Sequence, residues 1–442
     1  MQEKFKPTVI ILSGGKGQRM KSMIPKVLHT VSLQPIIQYV LDLGISLGIS
    51  SNNINLVVSE ELINNKIFQE LDNRYRFNKI LQKDSLGTGD AVRTAYNNIS
   101  YLEDIVLILY GDTPFIKKET ILKMFNEINN GSDINIIGFN SCRPEGYGRI
   151  LSTGINSVIE IVEDKNTNTK QKQIQLCNSG IFLVKKNIFS EFLSAESTFR
   201  YNSNDEHYFT DIIKYCVQKK KKCTYILAEE NEVMGINNRQ QLMYAEKYNQ
   251  INIVNKLLGN DVTIINPGSS YFANNIKVQN HVIIYPNVFI GNNTCIMKNT
   301  IINSFSYLEG VNIGEHTVIG PFTRVRANTK IGNNSRIGNF VEIKNTILMD
   351  NVKAKHLSYI GDATIESNVN IGAGTVFCNY DGKKKSHSYV HQNAFIGSNS
   401  SIISPIEIGE GSVIGAGSVI TKKVKANDLV LSRSKQISLK NK

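Results

Sequence analysis

The sequence predicts two folds in one chain: an α/β domain with a mostly parallel sheet, followed by a parallel β-helix. Three observations carry this reading. Residues 1–239 alternate helical stretches with apolar runs that stop at turn residues; residues 239–258 read as one uninterrupted helix; and from about residue 262 onward one aliphatic side chain recurs at every sixth position.

In the first half, Thr8–Leu12 is an apolar run that ends in a glycine-rich turn, 55–59 is a second, and Ile105–Tyr110 is a third that stops at Gly111-Asp112. Between them lie the helical stretches 36–47 and 88–98. Strands alternating with helices give a sheet covered on both faces. The helical stretch 239–258 meets a C′ stop at Gly259. A helix of that length spans about 30 Å, enough to hold two domains apart. The expected organisation is a first domain over 1–239, a linker helix over 240–260 and a second domain over 261–442, with two sites working independently.

The repeat positions are Val278, Ile284, Ile290, Ile296, Ile302 and Leu308, then, after a five-residue step, Ile313, Ile319, Val325, Ile331, Ile337 and Ile343. After an irregular stretch come Ile360, Ile365, Ile371 and Phe377, and finally Ile396, Ile402, Ile408, Ile414 and Ile420. Period six fits neither a helix at 3.6 nor a lone strand at 2. It fits a triangular coil in which each flat face takes six residues, one aliphatic side chain per face points to the axis, and Asn, Gly or small residues turn the corners. The segment 379–391, containing Asp381-Gly382-Lys383-Lys384-Lys385, interrupts the period. An insertion of this kind leaves the coil as a loop, and such loops often border a binding face.

Composition narrows the function. Hydrophobic residues make up 41% and charged residues 20% of the chain, which excludes a disordered polyelectrolyte. No run approaches the ~18 uncharged apolar residues of a membrane-spanning helix, and the first residues lack the apolar core of a signal peptide. A soluble, cytoplasmic protein without stable membrane insertion is expected. The six cysteines (142, 177, 216, 223, 295 and 378) form no CxxC pair and no zinc spacing, which reads as reduced thiols. Lys and Arg number 50 against 38 Asp and Glu, a net charge of +12. Such an excess suits nucleic acid, an anionic membrane surface or small phosphorylated substrates. With no Trp and no aromatic-glycine RNA-binding segment, nucleic acid has charge alone behind it, and part of the excess, including Lys383 to Lys385 and 219–222, reads as solvated surface.

Leu12-Ser13-Gly14-Gly15-Lys16-Gly17-Gln18-Arg19-Met20 follows a strand directly. Glycines there let backbone N–H groups approach an anion, and Lys16 and Arg19 add positive charge. Alone this motif is ambiguous, because a tight structural turn needs similar glycines. Its neighbours decide. Pro25-Lys26-Val27-Leu28 supplies a further cation. Gln82 and Leu86-Gly87-Thr88-Gly89 offer an amide and backbone groups to a base edge. Tyr110-Gly111-Asp112 sets a carboxylate at the carboxyl end of a strand, where open parallel sheets bind ligands and where Mg²⁺ is held against phosphates.

These segments, with His29-Thr30 after Leu28, resemble the sugar-1-phosphate nucleotidyltransferases. Together with the hexapeptide half, the chain is similar over nearly its whole length to the bifunctional GlmU family, which acts as UDP-N-acetylglucosamine pyrophosphorylase and glucosamine-1-phosphate acetyltransferase. The resemblance implies a Rossmann-like nucleotidyltransferase domain followed by a left-handed parallel β-helix. It implies that Leu12, Gly14 and Gly15 border the nucleotide, that Lys16, Arg19 and Lys26 face the triphosphate, and that Gln82, Gly87 and Thr88 recognise uracil beside Tyr110 and Gly111. Asp112 and Asn237 would hold Mg²⁺, and Gly148, Glu163 and Asn178 would bind the sugar. Ser13 stands where the family usually carries Ala.

In the second half, Lys353-Ala354-Lys355-His356-Leu357-Ser358-Tyr359-Ile360-Gly361-Asp362 lies where the period breaks, ahead of Asn368-Val369-Asn370-Ile371-Gly372-Ala373-Gly374-Thr375 and Asn379-Tyr380-Asp381-Gly382. The resemblance implies that His356 is the general base of acetyl transfer, with Glu342 to orient it. Arg326 and Lys344 would grip the sugar phosphate, with Tyr359 and Asn370 on the sugar. Ala373, Asn379, Tyr380, Ser398, Ala416 and Arg433 would meet acetyl-CoA, in a site assembled between subunits of a homotrimer. Lys355 replaces a usual Gly, and the tail beyond Arg433 is shorter than is common. UTP, sugar-1-phosphates and acetyl-CoA are the implied partners. Three other readings stand beside this one. The β-helix is a non-catalytic scaffold for a nucleotidyltransferase; or His281, His316, His356, His387 and His391 supply a metal site of the γ-carbonic-anhydrase kind; or the basic chain binds nucleic acid, which salt would weaken steeply.

Overall fold

The apolar run Thr8–Leu12 becomes a central strand, buried on both faces. The structure, a computed structural model, describes residues 6–15, 17–83, 86–154, 156–195 and 207–439. On one side this strand pairs in parallel with Ile54–Val58, and on the other with Ile105–Tyr110. The sheet runs Cys223–Leu227, Ile134–Asn140, Leu176–Lys185, Ile105–Tyr110, Thr8–Leu12, Ile54–Val58, Asn78–Leu81. Only Leu176–Lys185 runs antiparallel along this path. Side chains alternate between two cores: Val9 and Ile11 pack on one face with Leu56, Leu107 and Leu109, and Ile10 on the other with Val57, Val106 and Ile108. That two-sided burial is why these strands read as unbroken apolar runs. The chain turns to one side of Thr8–Leu12 first and to the other side later, so a crevice opens at the carboxyl ends of Thr8–Leu12 and Ile105–Tyr110.

The joining helix, Arg239–Leu258, is shared between two compact units that divide between Tyr248 and Asn249. Ala245 packs with Val31, Ile36 and Ile236 of the first unit, whereas Ile253 and Leu257 enter the core of the second. Both ends of the helix are therefore committed to a core. Gln250 closes the first coil of the second unit, donating to the carbonyl of Phe272 at 2.7 Å and accepting from its N–H at 3.1 Å.

The second unit is a left-handed β-helix of three parallel sheets, of ten, nine and eight strands, each strand pairing with the third one along the chain except the last, Leu429–Val430, which pairs with Val413–Ile414 two strands before it. Every repeat position from Val278 to Ile420 is buried in one continuous core. Asn287, Asn293, Asn299, Asn328, Asn334, Asn351 and Asn368 turn corners with positive φ, a conformation that asparagine tolerates better than most residues. The stretch after Ile343 that reads as irregular is not a break. Leu348 and Ala354 take the interior positions, and Lys353–His356 pairs with Arg336–Asn339 below and Asn370–Ile371 above. A small alanine at an aliphatic position and two five-residue steps hide the repeat. The interruption after Phe377 is a true insertion: 379–387 leaves the coil between Val376–Cys378 and Ser388–Val390. No helix among the described residues is long and apolar enough to cross a membrane, and all six cysteines are free thiols.

His391 bridges neighbouring coils, with Nδ1 3.2 Å from Glu366 Oε1 and Nε2 3.0 Å from Glu407 Oε1. Glu407, followed by Glu366, holds the imidazole above its ordinary range. A raised folded value means that the clamp contributes fully below about pH 6.5 and is lost as pH rises through the folded value. His391→Gln is expected to lower the melting temperature by about 1–3 °C near pH 6, with the difference from the parent closing as pH rises through the folded value. Thermal melts across that range check it, and a pH-independent difference counts against the clamp.

Candidate active sites

At the crevice of the first unit lies a cavity of about 420 Å³, lined by Leu12, Ser13, Gly14, Gly15, Arg19, Lys26, Gln82, Gly87, Thr88, Tyr110, Asp112 and Asn237 among others. The structure thus brings together residues from four separated segments. Lys16 lies outside the described residues. Gly111 follows Tyr110 at the strand end, and a Cβ there would lie 2.3 Å from Ser13 Oγ. That hydroxyl is buried without a hydrogen-bond partner among the described residues. Gly14 has no room for a side chain either, since a Cβ would meet Gln82 Oε1 at 2.6 Å.

The charged centre of the cavity is a cluster of four side chains. The Lys26 ammonium donates to Asp112 Oδ2 and, at 3.0 Å, to Asn237 Oδ1, which also accepts from Arg19 Nη2 at 3.1 Å. Thr113 Oγ1 donates to the other Asp112 oxygen at 3.3 Å, and Gln241 Oε1 accepts from the Asn237 backbone N–H at 2.7 Å. Two oxygen donors therefore converge on one cationic centre, here the lysine ammonium. That donor set fits Mg²⁺, which takes one or two protein oxygens and completes its shell with water and phosphate.

A second group borders the cavity across Tyr110. The Asn178 N–H donates to the Gly148 carbonyl at 2.8 Å, and Thr210 Oγ1 donates to Glu163 Oε1 at 2.7 Å. Tyr110 is half-buried, its ring filling the space where a Cβ on Gly180 would sit. Burial first, then the carboxylates of Glu163 and Asp112, push its phenol above the ordinary range. Two contributors carry no local sequence signal. Asp90 accepts from Gln82 Nε2 at 2.7 Å and so fixes which way that amide faces, and Thr210 anchors Glu163. Both contacts come from tertiary packing.

In the second unit, register places the key residues in columns. Ala354 pairs with Ile371, Ile371 with Ile396, and Ile396 with Ile414. Two residues beyond these lie His356, Ala373, Ser398 and Ala416, stacked one coil above another at the same corner. Arg433 reaches this column from the tail, Nη1 donating to the Ala416 carbonyl at 2.8 Å. Asn370 sits on the adjoining face in the strand Asn370–Ile371. One position before the column run Gly320, Gly338, Lys355, Gly372, Gly397 and Gly415; Lys355 is the sole side chain in that row, and it is exposed.

The remaining residues gather at the next corner. Arg326, Lys344 and Gly361 share a column. A Cβ on Gly361 would collide with Tyr359 Oη and Asn379 Nδ2, so this glycine makes room for both groups. Asp362 is the hub: it accepts from Asn345 Nδ2 at 2.6 Å and from Asn379 Nδ2. Tyr380 is exposed at the base of the inserted loop. Lys385, read from sequence as solvated surface, lies against Lys344, which holds the Lys385 ammonium below its ordinary range. An anion bound by both side chains would relieve that repulsion. The insertion concealed the approach of Lys385 to Lys344, because loop length says nothing of where a loop lands.

Glu342 does not orient His356 within this chain. It sits on a different sheet and accepts from Arg326 Nη1 at 3.1 Å, whereas His356 Nδ1 meets Asn339 Oδ1 at 2.8 Å. The five histidines do not converge either. His316 meets Asn299, His387 meets Thr364, and His391 meets its two glutamates. Among the described residues no three His, Cys, Asp or Glu side chains form a metal cluster.

Comparison with known proteins matches both units to known families. Residues 8–245 match the nucleotidyl transferase family, and 310–345 and 387–422 match the bacterial transferase hexapeptide family of six repeats. The bifunctional protein GlmU of Fervidobacterium nodosum is 39% identical, over 97% of this chain and 95% of its own length. The chain belongs to the bifunctional GlmU family. GlmU of Paramagnetospirillum magneticum and of Bartonella quintana are each 36% identical, over 98% of this chain and 95% of theirs. The family match spans both units, so the cavity around Asp112 and the column around His356 both lie in regions shared with GlmU relatives.

Proposed function

We propose that this enzyme makes UDP-N-acetylglucosamine in two reactions at two sites. In the second unit, acetyl-CoA acetylates glucosamine-1-phosphate; in the first, UTP and the resulting N-acetylglucosamine-1-phosphate give the nucleotide sugar and pyrophosphate. The observation that carries this reading is that each unit holds its own type of constellation, one of phosphate-facing cations with a carboxylate, the other a histidine at the foot of a column of small residues.

In acetyl transfer, the 2-amino nitrogen attacks the thioester carbonyl. The C–N bond forms, the C–S bond breaks, the amine proton passes to His356 Nε2 and then to the departing thiolate. General-base catalysis of this kind contributes about 10²–10⁴-fold. Ala373, Ser398 and Ala416, small side chains stacked along the corner, would border acetyl-CoA, with Arg433 at the far end of the column and Asn379 and Tyr380 near the thioester. Arg326, Lys344 and Lys385 bind the sugar phosphate, with Tyr359 and Asn370 on the sugar. His356 and the lysine pair stand at different corners of one prism, so the site is completed by a second copy in a homotrimer. An exposed apolar stripe of Phe305, Phe322, Phe340 and Leu357 beside His356 is the kind of surface such a neighbour covers.

In uridylyl transfer, the sugar phosphate oxygen attacks the α-phosphorus of UTP in line, one O–P bond forms, and the bond to the β-phosphate oxygen breaks. Gln82, Gly87 and Thr88 hold the uracil, Leu12, Gly14 and Gly15 border the nucleotide, and Gly148, Glu163 and Asn178 position the sugar. Lys16, Arg19 and Lys26 face the phosphates. Asp112 and Asn237 would hold Mg²⁺, whose charge neutralises the phosphate oxygens as they approach; Lys26 leaves those two oxygens for the triphosphate. Positioning and charge neutralisation suffice without a covalent intermediate.

Thiol release from acetyl-CoA with glucosamine-1-phosphate, and pyrophosphate release from UTP with N-acetylglucosamine-1-phosphate, are assayed separately on the purified protein. Both are expected, and a chelator stops only the second. No thiol release would leave a nucleotidyltransferase on a scaffold. Lys385→Ala is expected to raise the KM for glucosamine-1-phosphate about 10-fold with little change in kcat, as for loss of one charge-assisted contact to phosphate. An unchanged KM returns Lys385 to the solvated surface.

A further inference from the structure

We infer that Asn339 is the residue that positions His356, fixing its tautomer and aiming its free nitrogen; this rests on His356 being the acetyl-transfer base. Strand register sets Asn339 directly below His356 on the adjacent coil. Neighbouring parallel strands are about 4.8 Å apart, close enough for a short amide to meet the imidazole edge. The contact is His356 Nδ1 to Asn339 Oδ1 at 2.8 Å. A carbonyl oxygen only accepts, so Nδ1 carries the hydrogen and Nε2 keeps its lone pair for the substrate amine.

Nothing else in the column competes for the ring. Pro321 lies below Asn339 and Ala373 above His356, and neither has a polar side chain. The charged groups on the strands packed here are Arg336, Lys353 and Lys355, all exposed, and no carboxylate belongs to these strands. A neutral amide orients the base without favouring its protonated form, which a carboxylate would do.

Asn339→Ala is expected to lower kcat for acetyl transfer about 10- to 100-fold, part of the ~10²–10⁴ that a positioned base supplies, with both KM values within about 3-fold. Pyrophosphate release from UTP is unchanged. Asn339→Asp, of nearly the same shape, keeps more activity and moves the acid limb of the pH–rate profile up by about one pH unit, because a carboxylate beside the ring favours the imidazolium. A change that only loosened the coil would move neither the limb nor kcat alone. In the double variant Asn339→Ala/His356→Ala, acetyl transfer is no lower than in His356→Ala. Full activity in Asn339→Ala, an unmoved limb in Asn339→Asp, or additive losses in the double variant overturn the assignment. Retention of acetyl transfer by His356→Ala alone instead overturns the role of the histidine.

Discussion

His356→Ala is expected to reduce acetyl transfer by about 10²–10⁴-fold while leaving uridylyl transfer intact. The size follows from what the imidazole does. An amine that attacks a thioester acquires positive charge as the C–N bond forms, and the proton must leave before the tetrahedral species returns to reactants. Ala373 above and Asn339 below leave His356 as the only side chain in its column that can take that proton. The selectivity follows from the chain's division. His356 belongs to the unit that begins at Asn249, and every residue around the Asp112 cavity belongs to the unit that ends at Tyr248. The measurement is thiol release against pyrophosphate release in the same preparation. Thiol release at parent levels would remove His356 from the chemistry, and loss of both activities in a folded protein would break the two-site account.

Much of this was legible in the sequence, for unequal reasons. Interior positions of the β-helix announce themselves because a coil that turns every six residues must bury one side chain per face, and Ile and Val suit that place. The cavity residues of the first unit announce themselves because phosphate binding next to a strand end requires glycines and cations at short spacing. Leu348 and Ala354 were hidden because an alanine in the interior carries no periodic signal. Asn339, Asp362, Asp90 and Thr210 were hidden for another reason: each acts through a partner 8 to 47 residues away, set by register or packing. Glu342 shows the hazard from the other side, since within one chain a carboxylate near the histidine in sequence lies on a different face of the prism and pairs with Arg326.

Asp112→Ala is expected to lower uridylyl transfer by about 10²–10³-fold, a loss typical of removing one fixed electrostatic group at a reacting centre, with acetyl transfer unchanged. Two effects combine in that number. The carboxylate is one of two oxygens that meet at the Lys26 ammonium among the described residues, so its removal leaves Asn237 of that pair to hold a cation. It also releases Lys26, whose position at the phosphates depends on that partner. Asp112→Asn separates the two effects, because the amide keeps an oxygen and the shape but gives up the charge. If charge is what matters, Asn is nearly as damaging as Ala, and raising Mg²⁺ restores part of the rate; if geometry alone matters, Asn is close to the parent. Pyrophosphate release measured as a function of Mg²⁺ in the three proteins decides this. A parent-like rate in Asp112→Ala at every Mg²⁺ concentration would show that phosphate binding in this cavity runs through Arg19 and Lys26 without the carboxylate.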